Sequence, residues 1–160
     1  MIGLCNQWVV KPSSIGFLIA QVGAHANMKY AAHLEPLGLS PALAATLRVL
    51  ESRDGINQQA LAAKVQSHPS RLVAIVDELT SRGLVLRKVS AVDRRAHAVH
   101  LTAKGRDCLL RLSTVGQEFQ QALCAPLRAD ERRILGELLW RIAEAEGLEP
   151  GIHPGFRNGR

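Results

Sequence analysis

A mainly α-helical fold with a single β-hairpin between its fourth and fifth helices is what this sequence predicts, on three observations. Apolar residues fill 47% of the 160 positions but aromatics only 4%. Leucine and alanine must therefore do the packing, and both favour helices. Apolar residues step by three and four through most of the chain, in segments bounded by capping residues, prolines and glycines. The exception is a pair of short runs, "LVLRKV" and "AHAVHLT", which read as strands around the tip "SAVDRR".

Each element has a local reason. Ser14 caps a helix whose positions Ile15, Leu18, Ile19, Val22, Ala26 and Tyr30 share a face, and Pro36 and Gly38 end it. Ser40, with Pro41 in the first turn, opens a second that buries Leu43, Leu47 and Leu50 and stops at Gly55. Asn57 caps the short "QQALAAKVQ". After a break at Ser67–His68, Pro69 starts a fourth helix, with Leu72, Ile75, Val76 and Leu79 inward and Gly83 as its stop. The hairpin follows. Thr102 caps a long helix with Leu112, Val115, Phe119 and Leu123 on one face, and Asp130 is expected to cap the last, with Leu135, Leu138, Leu139 and Ile142. The predicted order is α-α-α-α-β-β-α-α, and the pattern admits a short extra strand before the third helix.

Charge narrows the partner. The chain carries a formal net charge of +6. Between Lys64 and Lys104, eight basic residues face only three acids. An excess concentrated in one stretch points to a polyanion. Cys5, Cys108 and Cys124 are widely spaced and form no C-x-x-C, which argues against a disulfide scaffold or a zinc ribbon and for a reducing, cytoplasmic setting. His25 and His33, or His97 and His100, do not make a metal site by themselves, and no cofactor is expected. The longest uncharged stretch, Pro12 to Met28, is too polar for a spanning helix, so no membrane partner is expected. There is neither a Gly-rich phosphate loop nor a converging nucleophile and base, and no enzymatic chemistry is expected.

Two short helices, a tight break, a further helix and a basic hairpin make the layout of a winged helix-turn-helix. The helix from Pro69 would enter the major groove by its N-terminus, with Ser70, Arg71 and Ala74 outward. Asp93 would hold the hairpin tip in one shape, so that an arginine beside it can reach the minor groove, where the potential is most negative.

Here the sequence resembles the MarR (multiple antibiotic resistance regulator) transcription factors. Their wing signature, D-x-R, five residues, then L-T, is met by Asp93, Arg95, Leu101 and Thr102. "LTSRGLVLR" looks like the family's end of recognition helix plus first wing strand, and "LGLSPALAATLRVL" like its second helix. The resemblance implies a homodimeric, ligand-responsive repressor on a pseudo-palindromic operator. The resemblance covers roughly Ser14 to Glu146, and the chain is expected to divide into an N-terminal arm and first dimerisation helix (1–39), a DNA-binding lobe (40–101), C-terminal dimerisation helices (102–146) and, from its glycines and prolines, a flexible tail (147–160). The expected DNA-binding residues are Ser67, His68, Ser70, Arg71, Ala74, Lys88, Asp93, Arg94 and Arg95. A small anionic or aromatic effector is implied between dimer helices and DNA lobe, near His25, Met28 and Arg48. The family often carries a polar or basic pair where this chain has Val73 and Ala74, so base readout leans on Ser70, Arg71 and contacts to thymine methyls.

Two rival readings have weaker support. A thiol-based redox regulator would use Cys5, but the family's peroxide-sensing cysteine falls where this chain has Ser14 to Phe17. A protein-interaction module on a winged-helix scaffold should have lost the wing arginines, and both are kept.

Overall fold

The computed structural model describes residues 14–89 and 97–148. Cys5, Trp8, the wing-tip residues Asp93, Arg94 and Arg95, and the tail beyond Leu148 lie outside the described residues. In chain order the elements are α1 (Ile15–Leu34), α2 (Pro41–Ser52), β1 (Ile56–Asn57), α3 (Gln58–Lys64), α4 (Pro69–Ser81), β2 (Val85–Val89), β3 (His97–Leu101), α5 (Ala103–Leu123) and α6 (Ala129–Ala145). A short 3₁₀ turn, Glu35–Leu37, joins α1 to α2. The strands form one antiparallel sheet in the order β1-β3-β2, so the admitted extra strand is present as the edge strand β1. This is a mainly α-helical winged helix-turn-helix fold.

Four helix starts are capped by the residues the sequence nominated. Ser14, Ser40, Asn57 and Thr102 each accept a backbone N–H three residues on, from Phe17, Leu43, Ala60 and Gly105. The last helix differs from expectation. Its N-cap is Arg128, whose backbone N–H is taken by the Glu131 carboxylate, and Asp130 lies inside the first turn. There its charge complements the positive end of the helix dipole instead of capping it.

The break between α3 and α4 also falls earlier than expected. Gln66 takes a left-handed conformation with φ of 52°. The N–H of Ser67 reaches back to the Ala62 carbonyl and that of Gln66 to Ala63, which is the hydrogen-bond pattern of a Schellman helix end. This reversal sets α4 against α3.

One core organises the lobe. Leu34 of α1, Leu43, Leu47 and Leu50 of α2, Leu61 of α3, and Leu72, Val76 and Leu79 of α4 meet Val85, Val99 and Leu101 of the sheet and Leu109 and Leu112 of α5. The N-terminal half of α1 and all of α6 stand apart from it. Ile15, Phe17, Leu18, Ile19 and Val22 are exposed, as are Ile134, Leu135, Leu138, Leu139, Trp140 and Ile142, and α6 buries no residue. The apolar faces read from the sequence are therefore present, but within one chain nothing among the described residues covers them. No helix among the described residues is long and apolar enough to cross a membrane.

Candidate nucleic-acid interface

The inward stripe of α4 (Leu72, Val76, Leu79) leaves the opposite side to solvent. At about 100° per residue, Ser70, Ala74, Asp77 and Ser81 fall along the centre of that outward side, and all are exposed. Arg71 is turned away from this line and borders a small depression shared with Ala42, Ala45 and Thr46 of α2. The N-terminus of α4 is ordered by its own side chains. His68 is the N-cap, and its Nδ1 lies 2.7 Å from Ser70 Oγ and accepts from Ser70 N–H. Ser67, half-buried in the turn, hydrogen-bonds the His68 carbonyl. Four expected DNA-binding residues (Ser67, His68, Ser70 and Arg71) thus surround one helix start, where backbone N–H groups and the helix dipole favour an anion. Ala74 follows one turn later.

Acidic residues on this helix are paired. Glu78 takes the Arg82 guanidinium at the end of α4. Asp77, in the middle of the outward line, takes Arg87 of β2 at 2.6 Å. Asp77 shares the outward line with Ser70 and Ala74, and Arg87 offsets its charge.

The wing grows from the same joint. Register runs from Val85 opposite Leu101 to Val89 opposite His97. Lys88, the expected wing contact within the described residues, is exposed. At the base, the Thr102 hydroxyl donates to the Gly83 carbonyl at 2.7 Å while accepting the Gly105 N–H, so one side chain joins the end of α4 to the start of α5. Gly105 is pressed against the chain behind it: a Cβ there would sit 2.1 Å from the Leu84 carbonyl oxygen.

On the far side of the sheet, the Asp54 carboxylate accepts the Leu101 N–H and pairs with Arg106, both at 2.8 Å, with His100 at 3.6 Å. Burial raises the Asp54 pKa, but the Leu101 N–H, Arg106 and His100 outweigh it, and the carboxyl is held below its usual range.

The residues expected near an effector are only partly brought together. Arg48 reaches from α2 to Ser113 of α5 at 3.1 Å and lies close enough to Tyr30 to act on its ionisation. Burial raises the Tyr30 phenol and Arg48 partly counters it. Tyr30 and His33 both pack on Phe119, at ring distances of 5.3 and 5.7 Å. His25 and Met28 are on α1, and both are exposed. Sequence reasoning did not single out Tyr30, His33 and Phe119 for this cleft, nor Gln58, Asp77 and Arg87 for the interface. The signals were present in outline: Asp77 shares helical phase with Ser70 and Ala74, and Arg87 shares strand phase with Val85. Of the described cysteines, Cys108 is half-buried, and burial pushes its thiol up against the lowering pull of Arg111, Arg82 and Lys104. Among the described residues no cluster could hold a metal ion.

Comparison with known proteins agrees with this geometry. A sequence profile of the MarR family matches residues 39–97. A putative transcriptional regulatory protein for the hcr operon of Thauera aromatica is 32% identical over 113 residues, covering 71% of this chain and 68% of that protein. Wild-type MarR from Escherichia coli superposes with a TM-score of 0.75 at 26% identity, over 81% of this chain and 96% of its own. A cysteine-to-serine mutant of the same protein complexed with operator DNA matches at 0.69 and 28% identity, over 79% and 91%. The Mycobacterium tuberculosis MarR family protein Rv2887 in complex with DNA matches at 0.73 and 26%, over 81% and 98%.

Proposed function

The chain belongs to the MarR family of DNA-binding transcriptional regulators, which are not enzymes, and we propose that within it this protein is a homodimeric, ligand-responsive repressor of a pseudo-palindromic operator. The observation that carries this reading is the bare apolar face on α1 and α6. Ile15, Leu18, Ile19 and Val22, with Leu135, Leu138, Leu139 and Ile142, are too many exposed large side chains for a lone molecule. Pairing them about a two-fold axis buries them and sets two copies of α4 about one helical turn of DNA apart.

Within each half-site, the start of α4 meets the major groove, with Ser67, His68, Ser70 and Arg71 on phosphates and base edges and Ala74 against a thymine methyl. Lys88 and Arg94 approach phosphates. Arg95 is the residue assigned to the minor groove. The effector is a small anionic or aromatic molecule bound where α1, α2 and α5 meet, with His25 and Met28 at its margin. Support comes from the Arg48 cation beside half-buried Tyr30 and from the adjoining Phe119 ring.

Titration of duplexes from the chain's own promoter region tests this directly, with small aromatic carboxylates as releasing agents. Arg48→Ala is expected to keep DNA binding and lose release. Loss of DNA binding in that variant, or undiminished release, would contradict the assignment.

A further inference from the structure

We propose that Arg87 is a positioning residue for DNA recognition: a strut that holds the wing at a fixed angle to the recognition helix. The inference rests on the reading that the wing touches DNA.

Side chains alternate along β2, so Val85, Arg87 and Val89 share the face turned toward the helices, opposite Leu101, Val99 and His97. Val85, Val99 and Leu101 are buried, whereas Val89 and His97 are exposed. On this face, apolar packing therefore supports the sheet only at its base. Arg87 stands where that support ends, and its side chain ties β2 to two helices. Its Nη1 pairs with Asp77 of α4 at 2.6 Å, and its Nε donates to Gln58 Oε1 of α3 at 3.2 Å. Two partners on two elements fix a planar guanidinium in orientation as well as position. Asp77 lies on the outward line of α4, so the contact joins the reading face of the recognition helix directly to the wing. Two groove-binding parts engage one rigid duplex at a lower ordering cost when their relative placement is set beforehand.

A simpler role would be charge compensation, with Arg87 sparing the duplex an unpaired carboxylate. The two roles predict opposite signs for Asp77→Ala. As a compensated acid, Asp77 should be better lost, and affinity should rise. As half of a strut, its loss frees the wing, and affinity should fall although a negative charge has been removed.

The test is hydroxyl-radical footprinting with affinity titration on a promoter-derived duplex. Parent protein, Asp77→Ala, Arg87→Met and Arg87→Lys are compared, with thermal melting as the folding control. The strut predicts that Asp77→Ala and Arg87→Met each lose roughly tenfold in affinity. Protection over the major-groove half-sites should persist while protection of the flanks under the wings disappears. Arg87→Lys, which keeps a charge for Asp77, should recover part of it. Asp77 is exposed on a helix that tolerates alanine, so that variant tests the claim even if Arg87→Met unfolds. Tighter binding by Asp77→Ala, or weakening that is uniform across the footprint, overturns the strut. A parent footprint with central but no flank protection overturns the wing reading, and the strut with it.

Discussion

At the scale of the residue, the lobe depends on positions whose neighbours lie far away in sequence. Gly105 is one. Alanine is the better helix former, by about 1 kcal/mol, yet Gly105→Ala should destabilise the protein by roughly 1–3 kcal/mol. The added carbon would meet the Leu84 carbonyl, a backbone atom that cannot step aside. Chemical denaturation measures this, and a gain in stability would show that α5 does not approach β2 so closely. Gln66 works in the other direction. Its left-handed backbone suits glycine, so Gln66→Gly should be stabilising by up to about 1 kcal/mol. Neither position could be read beforehand. Glycine in a helix start carries no mark of the strand behind it, and a left-handed turn is ordinarily signalled by Gly or Asn.

Asp54 adds a pH dependence at the same scale. Its folded pKa is lowered, so the unfolded chain binds the proton more readily and stability rises with pH through that window. The contribution is complete above the ordinary carboxylate range and is lost as pH falls through the lowered folded value. Asp54→Asn keeps an acceptor for the Leu101 N–H but loses the Arg106 pair, and should flatten the acid limb of thermal stability below about pH 5. An acid limb identical to the parent's would remove Asp54 from this role.

Elements were far more legible than these contacts. Helix order, the four caps at Ser14, Ser40, Asn57 and Thr102, the stop at Gly83 and both hairpin strands follow from short-range patterns, and the structure repeats them. The cap of α6 did not, because Arg128 is not a capping residue by type and its N–H is satisfied by Glu131 instead. Thr102 shows why a legible cap can also be more than a cap. Thr102→Val removes both its acceptor for Gly105 and its donor to Gly83, and should cost about 1–2 kcal/mol. A change within a few tenths would reduce it to a spacer.

The wing is the element that divides the two arginines. Arg95→Ala should cost roughly 1–3 kcal/mol of affinity, most on A·T-rich sequence under the wing, where the groove is narrow. Arg94→Ala should instead weaken all duplexes alike and lower the salt slope by about one unit per chain. Titrating both variants against duplexes differing only under the wing separates them. Sequence dependence in Arg94→Ala alone would reverse the assignment.

For the whole molecule, the question is what the bare faces of α1 and α6 do. Their apolar spacing was visible in the sequence, but spacing cannot tell a face buried within a chain from one buried between chains. Among the described residues nothing covers these faces, while the lobe beside them has a closed core of its own. On the proposed reading, dimerisation through them turns one recognition helix per chain into a reader of paired half-sites. The most direct measurement is sedimentation and titration with a duplex bearing half-sites one helical turn apart, at about 50 and 200 mM salt. Two chains per duplex are expected, dimeric before DNA is added, with affinity falling about 10³- to 10⁵-fold between the two salt concentrations for roughly 6–10 phosphate contacts. A monomer at micromolar concentration, one chain per duplex, or an affinity indifferent to salt would contradict it.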